Sequence, residues 1–116
     1  MQYLLLIYDS EREFEALPPA QLDAIMAGYN AFTADLKQRG HFVGANRLRP
    51  IADATTVRVR GGKSEMTDGP FAETREQLGG YYLIEAKDLD EATKIAARIP
   101  SAAIGSIEVR PIWEHT

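Results

Sequence analysis

The stretch from Asp68 to Ala86 reads Asp-Gly-Pro-Phe-Ala-Glu-Thr-Arg-Glu-Gln-Leu-Gly-Gly-Tyr-Tyr-Leu-Ile-Glu-Ala, and the rest of the chain can be arranged around it. It begins with a turn, because the residue before a proline is pushed out of the α region and Pro70 itself lacks an N–H group. An acidic segment follows, and the Gly79-Gly80 pair leads into an apolar strand. A carboxylate, Asp68, therefore lies at a rigid bend, close in sequence to the aromatic Phe71.

Upstream of this stretch, the pattern predicts a strand, a loop and a long helix. Residues 2–8 form a near-continuous apolar run, which is typical of a strand at the centre of a sheet. Residues 9–18 are acidic and end in prolines, so we expect a loop there. From Leu22 to Leu36, apolar residues recur at three- and four-residue steps, which predicts an amphipathic helix that ends near Gly40.

The stretch of residues 68–86 is called the opening stretch. The segment between the long helix and this stretch predicts strands and a hairpin. Residues 41–49 are expected to form a strand with an irregularity at Gly44. Valine and arginine alternate over residues 55–60, and Gly61-Gly62 predicts a tight turn into a short return strand. Residues 74–78 are expected to form a turn of helix that the next two glycines break.

The order of elements predicts an α+β domain of the ferredoxin-like, split βαβ type. After the strand of residues 81–86, Asp88 is a predicted N-cap of a helix that Pro100 ends, and residues 107–113 form a last strand. The result is an antiparallel sheet with a hairpin insertion and both helices on one face, in one domain spanning residues 1–116. Because the other face is left uncovered, we expect a homodimer whose sheets pack against each other.

Composition excludes several classes of protein. The 116 residues are 45% hydrophobic and 26% charged, as in a globular domain. The absence of cysteine excludes disulfides and thiolate chemistry, and the net charge of −4 argues against a nucleic-acid partner. The longest apolar run, Leu4 to Tyr8, is too short to span a membrane and lacks the flanks of a signal peptide. We expect a cytoplasmic protein without a membrane association.

Residues 68–85 resemble the signature of the DGPF proteins, a branch of the YCII-related domain family. Residues 3–8, 54–58 and 108–111 are similar to the blocks that flank this signature in the family, so that the resemblance covers nearly the whole chain. It implies a dimeric α/β-barrel built from two ferredoxin-like protomers. This agrees with the fold inferred above from the pattern of residues.

The resemblance implies less about function. Most DGPF proteins have no assigned activity, some are encoded beside extracytoplasmic-function sigma factors, and the wider superfamily includes small enzymes that act on lactones and chlorinated aromatics. YCII-type members have a His–Asp pair at positions close to Tyr29 and Ile99 of this chain, and neither residue can supply that chemistry. The two histidines present, His41 and His115, do not lie on the predicted helix.

Candidate site residues are therefore taken from the chain itself. Asp68 is the candidate catalytic acid or base, although an aspartate at such a turn can equally accept hydrogen bonds from its own backbone. Glu73 and Glu76 lie three residues apart and are candidates for ligand binding. They could also offer oxygens to a cation, but a solvated acidic loop is the simpler interpretation, and we expect no metal and no cofactor. The remaining ligand-binding candidates are the tyrosines Tyr8 and Tyr29, the cation Arg58 and the aromatic Phe71.

Three functions remain open from the sequence. The first is a homodimeric sensor or accessory module that binds a small molecule in a groove near the Asp68-Gly-Pro-Phe loop. The second is a small lyase or isomerase that uses Asp68 as its acid or base. The third, suggested by the family's gene context, is an interaction partner in sigma-factor-linked regulation.

Overall fold

A computed structural model describes residues 1–114 as two layers, with the helices on one face of a sheet. The α-helices are numbered α1 to α3 and the strands β1 to β6 in chain order. Two short 3-10 turns, at Ile51–Asp53 and Pro100–Ala103, join elements. In order, the elements are β1 (Gln2–Asp9), α1 (Glu11–Glu15), α2 (Pro19–Gln38), β2 (Phe42–Arg47), β3 (Thr55–Arg60), β4 (Lys63–Asp68), β5 (Gln77–Glu85), α3 (Leu89–Ala96) and β6 (Ser106–Pro111).

The main sheet has four strands in the order β2-β5-β1-β6, and each neighbouring pair is antiparallel. The crossovers through α2 and α3 each skip one strand, which is the ferredoxin-like plan. The predicted fold class is therefore confirmed. Strand β2 shifts register between Phe42 and Gly44, at the irregularity that the glycine predicted.

The core lies between the sheet and the two longer helices. Alternate residues of β1, namely Tyr3, Leu5 and Ile7, are buried on the helix-facing side, as the period of two requires. Burying each such side chain contributes roughly 1.5–3 kcal/mol to stability. The aromatic ring of Tyr82 on β5 packs edge-on against Phe32 of α2, with the ring centres 5.2 Å apart. Other buried members of the core are Leu36, Ile84, Ala86, Ala92, Ile95, Ala96 and Ile99.

The helix ends have local sequence causes. Helix α2 begins at Pro19, where a missing N–H group is harmless, and α3 begins after Asp88, whose carboxylate accepts a 2.9 Å hydrogen bond from the N–H of Glu91. This confirms the predicted N-cap. Within residues 1–114, no helix combines the length and the apolar character that crossing a membrane requires.

The hairpin of β3 and β4 forms a separate two-stranded sheet. Its turn residues Gly61 and Gly62 have φ angles of 57° and 78°, which favour glycine. At its base the N–H of Gly69, also at positive φ, donates to the carbonyl of Ala54 over 2.7 Å, and the Thr56 hydroxyl donates to the carbonyl of Gly69 over 2.9 Å. The first glycine of the opening stretch therefore closes the hairpin.

The hairpin extends away from the main sheet. Its valines and its methionine are exposed, with Val57, Val59 and Met66 retaining 57%, 60% and 76% of their accessible surface. The chain's radius of gyration is 16.2 Å, whereas a compact domain of this length is expected near ~13 Å. The extended arm accounts for the difference.

The predictions for residues 9–18 and for the glycine pair were wrong in detail. Residues 11–15 form α1 rather than a loop, because the Ser10 hydroxyl caps the N–H of Glu13 at 3.2 Å. Residues 74–78 do not form a helical turn, and β5 begins at Gln77 and runs through both glycines. The glycines do not end an element, because Gly80 pairs with Ile7 of β1 and Arg47 of β2, and the carbonyl of Gly79 accepts a 2.9 Å hydrogen bond from the N–H of Leu48.

The second face of the main sheet carries an apolar patch that no part of residues 1–114 covers as a layer. The side chains that alternate with the core residues of β1 and β5 point to this face and are only half-buried. We call this patch the open face. Its members are Leu4, Leu6, Tyr8, Tyr81 and Leu83.

The close packing of Gly105, just before β6, against the end of β1 can be tested by mutation. A Cβ atom at this position would overlap the carbonyl oxygen of Tyr8 and would lie 3.0 Å from the Cβ of Asp9. We expect Gly105→Ala to lower the free energy of unfolding by roughly 2–3 kcal/mol, because backbone atoms cannot move aside as a side chain can. Urea unfolding at a fixed protein concentration measures the loss.

Gly44→Ala is the matched control, because no atom lies within 4 Å of a Cβ at that position. Equal stability of the two variants would contradict the close approach of β1 and the turn before β6.

Candidate functional site

A cavity of about 500 Å³ opens at one end of the main sheet, on the side of the helices. It lies where β1 and β2 end and β5 begins, and α1 and α2 pass over these strands. More than half of the side chains that line it are apolar or aromatic, and the volume is in the range of small-molecule sites. The lining residues are Ile7, Asp9, Glu11, Phe14, Glu15, Met26, Tyr29, Ala45, Asn46, Arg47, Leu48, Arg49, Pro50, Gly79, Gly80, Tyr81, Tyr82 and Ser101.

The sheet register sets the floor of this cavity. Asp9 continues the alternation of the buried β1 residues and so lies on their face of the sheet. Ile7 pairs with Gly80, and Gly80 pairs in turn with Arg47 on β2, so that all three share that face. The register of β1 against β5 shifts next to this point, and Gly79 is the additional residue.

Asp9, Ser101 and Tyr29 lie together along the cavity wall. The phenol of Tyr29 donates to the Oγ atom of Ser101 over 2.6 Å, and Ser101 lies near enough to the carboxylate of Asp9 to favour its charged form. Ser101 is 1% exposed and thus has no access to water as an alternative partner. The three side chains come from β1, from the 3-10 turn after α3, and from α2.

Asp9 and Tyr29, the two ionisable side chains of this group, have shifted pKa values. Burial raises the pKa of the Asp9 carboxyl above its ordinary value, and the neighbouring hydroxyl of Ser101 opposes part of that rise. Burial likewise raises the pKa of the Tyr29 phenol, which therefore keeps its proton at neutral pH. A carboxyl that is less acidic than usual and lies in a cavity is suited to proton transfer.

Helix α1 is held over the cavity mouth by residues of the opening stretch. The N–H of Glu11 donates to the side-chain oxygen of Gln77 over 2.9 Å, and the side-chain nitrogen of Gln77 donates to the carbonyl of Thr74 over 2.7 Å. The carboxylate of Glu11 accepts a 3.0 Å hydrogen bond from the N–H of Ile51, below the hairpin. Gln77 and Glu11 thus connect the loop, α1 and the base of the hairpin.

Of the residues predicted for the site, Tyr29 lines the cavity and the others do not. Asp68 is exposed at the end of β4, where it pairs with Thr55, and its catalytic role stays a prediction. Arg58 is exposed on the hairpin, and Phe71 retains 79% of its accessible surface. These three residues lie on or beside the hairpin of β3 and β4 and not at the cavity.

The remaining candidates have structural surroundings of their own. Tyr8 belongs to the open face, in register with Ser106. Glu73 is exposed, whereas the carboxylate of Glu76 accepts a 2.8 Å hydrogen bond from the Ser106 hydroxyl. No group of three or more histidine, aspartate or glutamate side chains within residues 1–114 is placed to hold a metal ion, and this applies to the acidic loop as well.

The histidines lie apart from the cavity. The Nδ1 atom of His41 is 2.8 Å from the carbonyl oxygen of Glu85, at the opposite end of the sheet. His115 lies outside the described residues. Tyr29 and Ser101, by contrast, meet close to the positions that the family resemblance assigned to a His–Asp pair.

Sequence reasoning missed Asp9, Arg47 and Ser101. The signal for Asp9 was available, because the residue continues the period of two that places Tyr3, Leu5 and Ile7 on the core side. No comparable signal marked Ser101, because its contact with Tyr29 depends on how the turn after α3 packs against α2. Arg47 follows from the pairing of β2 with β5, which a single sequence does not specify.

Comparison with known proteins shows the family. The YCII-related domain matches residues 1–116. An uncharacterised protein of Rhizobium meliloti (strain 1021) is 37% identical over 114 residues, covering 97% of this chain and 92% of that protein.

The chain is also similar to a solved structure. It is that of 5-chloro-2-hydroxyhydroquinone dehydrochlorinase from Burkholderia phenoliruptrix AC1100, in complex with 2,5-dihydroxybenzoquinone. This enzyme is 18% identical, with a TM-score of 0.49, and the match covers 100% of this chain and 96% of the other. On the match over its full length and the 37% identical relative, the chain belongs to the YCII-related domain family.

Proposed function

We propose that this protein binds a small organic molecule in the cavity above Gly80. The observation that carries the proposal is the cavity itself, in which apolar walls surround a few convergent polar groups, Asp9, Tyr29 and Arg47. The groove was expected near Asp68, and the proposal moves it to the other end of the opening stretch. The cytoplasmic location expected from the sequence remains part of the proposal.

Proton transfer is the second candidate function, of the lyase or isomerase kind. It is favoured by the grouping of Asp9, Ser101 and Tyr29 in the cavity, because a carboxyl with a raised pKa can take a proton from a bound molecule and return it. The phenol of Tyr29 donates to Ser101 and holds that residue in place beside Asp9. Asp9 replaces Asp68 in this role because Asp9 lines the cavity.

The protein in this proposal is a homodimer. The open face is an apolar surface at the centre of a sheet, and packing against the same face of a second copy would remove it from water. The apolar side of the hairpin, with Val57, Val59 and Met66, adds further surface that a second copy could cover.

A ligand screen with a blocked cavity tests the binding function. Met26 of α2 lines the cavity, so Met26→Trp should fill part of it, whereas Gln38→Trp adds the same side chain to an exposed position of α2 outside it. A molecule present at about 100 times its dissociation constant stabilises the protein by roughly 2.7 kcal/mol. We expect such a molecule to raise the thermal midpoint of the wild type and of Gln38→Trp but not of Met26→Trp.

Asp68→Ala belongs in the same screen, because it separates the cavity from the loop. Retention of the ligand's effect is the result expected for a site above Gly80. A ligand that stabilises Met26→Trp but not Asp68→Ala would instead place the site at the loop and contradict the proposal.

Asp9→Asn tests the electrostatics of the proton-transfer candidate. Since the folded-state pKa of Asp9 is raised above 3.8, the folded protein holds a proton there more tightly than the unfolded chain does. The contribution of Asp9 to stability is therefore greatest at low pH and is lost as pH rises through the raised pKa. We expect Asp9→Asn to be at least as stable as the wild type at pH 7.5 and to lose this advantage in acid, measured by urea unfolding.

A molecule found in the screen extends this test to chemistry. In D₂O, the wild type should exchange an activated C–H hydrogen of the bound molecule, and Asp9→Asn should slow this exchange by about 10²-fold or more. Equal exchange by both proteins would exclude Asp9 as the base, while an Asp9→Asn variant less stable than the wild type at pH 7.5 would contradict the raised pKa.

Leu83→Asp tests the homodimer. Leu83 lies in the middle of the open face, opposite Leu4 on β1, so that a carboxylate there would be buried without a partner in the dimer. We expect light scattering to give the mass of a dimer for the wild type and of a folded monomer for Leu83→Asp.

Ala31→Asp, on the exposed surface of α2, is the matched control and should remain a dimer. A monomeric wild type would overturn the proposal, and the open face and the hairpin would then be available to a different protein, as the sigma-factor hypothesis requires.

A further inference from the structure

Arg47 is placed to select the charge of the molecule in the cavity. It is the last residue of β2 and pairs with Gly80. Because side chains alternate along a strand, Arg47 lies on the same face as Ala45, two residues earlier, whose partner is the core residue Tyr82. The side chain thus belongs to the face on which Asp9 lies, and both residues line the cavity. Burial raises the pKa of Asp9, and the attraction of Arg47 opposes a small part of that rise.

Two other charged side chains of the cavity, Arg49 and Glu11, have partners within the protein. The Nε atom of Arg49 is 3.0 Å from the Oδ2 atom of Asp53, and the carboxylate of Glu11 accepts from the N–H of Ile51. Arg47 forms no ion pair with any residue of the described range 1–114. Its guanidinium group, with five donors, is therefore available to a ligand.

The floor between Arg47 and Asp9 carries no side chains. A Cβ atom at Gly80 would lie 2.8 Å from the carbonyl oxygen of Asn46 and 3.4 Å from the Cα of Arg47, so no larger residue fits there without a shift. A Cβ atom at Gly79 would lie 3.6 Å from the Oδ1 atom of Asp9. Arg47 and Asp9 lie on strands that flank β5, and Asp9 lies two residues beyond Ile7, which is opposite Arg47 across Gly80. Their backbones are therefore roughly 12 Å apart, which leaves room for a substituted six-membered ring between them.

We propose that the molecule bound in this cavity is an apolar, ring-sized monocarboxylate whose carboxylate pairs with Arg47 while its other end reaches Asp9. The inference rests on the proposed function and adds the class of ligand. A guanidinium group binds a carboxylate through two parallel hydrogen bonds. A single negative charge is specified because the carboxylates of Asp9 and Glu15 line the same cavity and repel a second one.

Matched ligands test this inference. Benzoate, benzamide and phenyl phosphate share one ring and differ in charge, and ligand-observed NMR titration at pH 7.5 gives their dissociation constants. We expect the wild type to bind benzoate about tenfold more tightly than benzamide, with phenyl phosphate no tighter than benzoate. Raising the salt concentration should reduce the preference for benzoate.

Two variants assign the preference to Arg47. Arg47→Gln should weaken benzoate about tenfold and leave benzamide unchanged, and Arg47→Lys should keep part of the preference because it retains the charge but not the fork of donors. Arg12→Gln removes the same charge from the exposed side of α1, outside the cavity, and should behave as the wild type does.

The outcomes separate this inference from the proposed function. Binding of benzoate and benzamide with equal affinity, lost in Met26→Trp, would overturn the selection of a carboxylate and leave the cavity as a binding site. Tighter binding of phenyl phosphate than of benzoate would overturn the inference that the ligand carries a single negative charge. A benzoate preference that survives Arg47→Gln would exclude Arg47, and a lack of binding by all three ligands would contradict the cavity as a site for ring compounds and the inference with it.

Discussion

The pairing of β1 with β5 across the bulge at Gly79 is the constraint on which most of the molecule depends. The additional residue shifts the register, so that Ile7 faces Gly80 while Tyr8 faces Leu78. On one side of the bulge, β5 supplies Tyr82 and Ile84 to the core. On the other side, β5 supplies Gln77, which holds α1. Without the bulge, every residue before Gly79 would point to the opposite face.

The cavity is a consequence of the same constraint. Strand β2 can approach β5 closely only because Gly80 has no side chain, and the cavity lies above this point, beneath α1 and α2. The walls come from elements distant in sequence, which bring the carboxyl of Asp9, the phenol of Tyr29 and the guanidinium of Arg47 around one floor. Glycine is therefore required at this point both for the sheet and for the site.

The fold could be predicted almost completely from the sequence, and the site only in part. Period-of-two and helical patterns, the N-cap at Asp88 and the paired glycines of the hairpin are local signals, and they identified the elements correctly. The interpretation of Gly79-Gly80 as a break failed because glycine marks both a chain reversal and a close approach of strands, and only the neighbours of β5 distinguish the two. Asp68 was a candidate because it is a carboxylate at a bend, whereas Asp9, which lines the cavity, resembles the ordinary end of a strand in the sequence. Contacts such as that between Tyr29 and Ser101 arise from tertiary packing and leave no mark on either local sequence.

The place of β1 in the sheet has a consequence for how the chain folds. This strand is the first to be synthesised, yet it lies between β5 and β6, so that Leu5 must wait for Tyr82 and for Val109, near the other end of the chain. Pairings between such distant residues close long loops before they gain stabilising contacts, which makes the folding of such a topology slow. Until then the most apolar strand of the protein has no partner in its own sheet. Completion of the sheet therefore requires synthesis to have passed β6, and an apolar strand without partners is prone to aggregation in that interval.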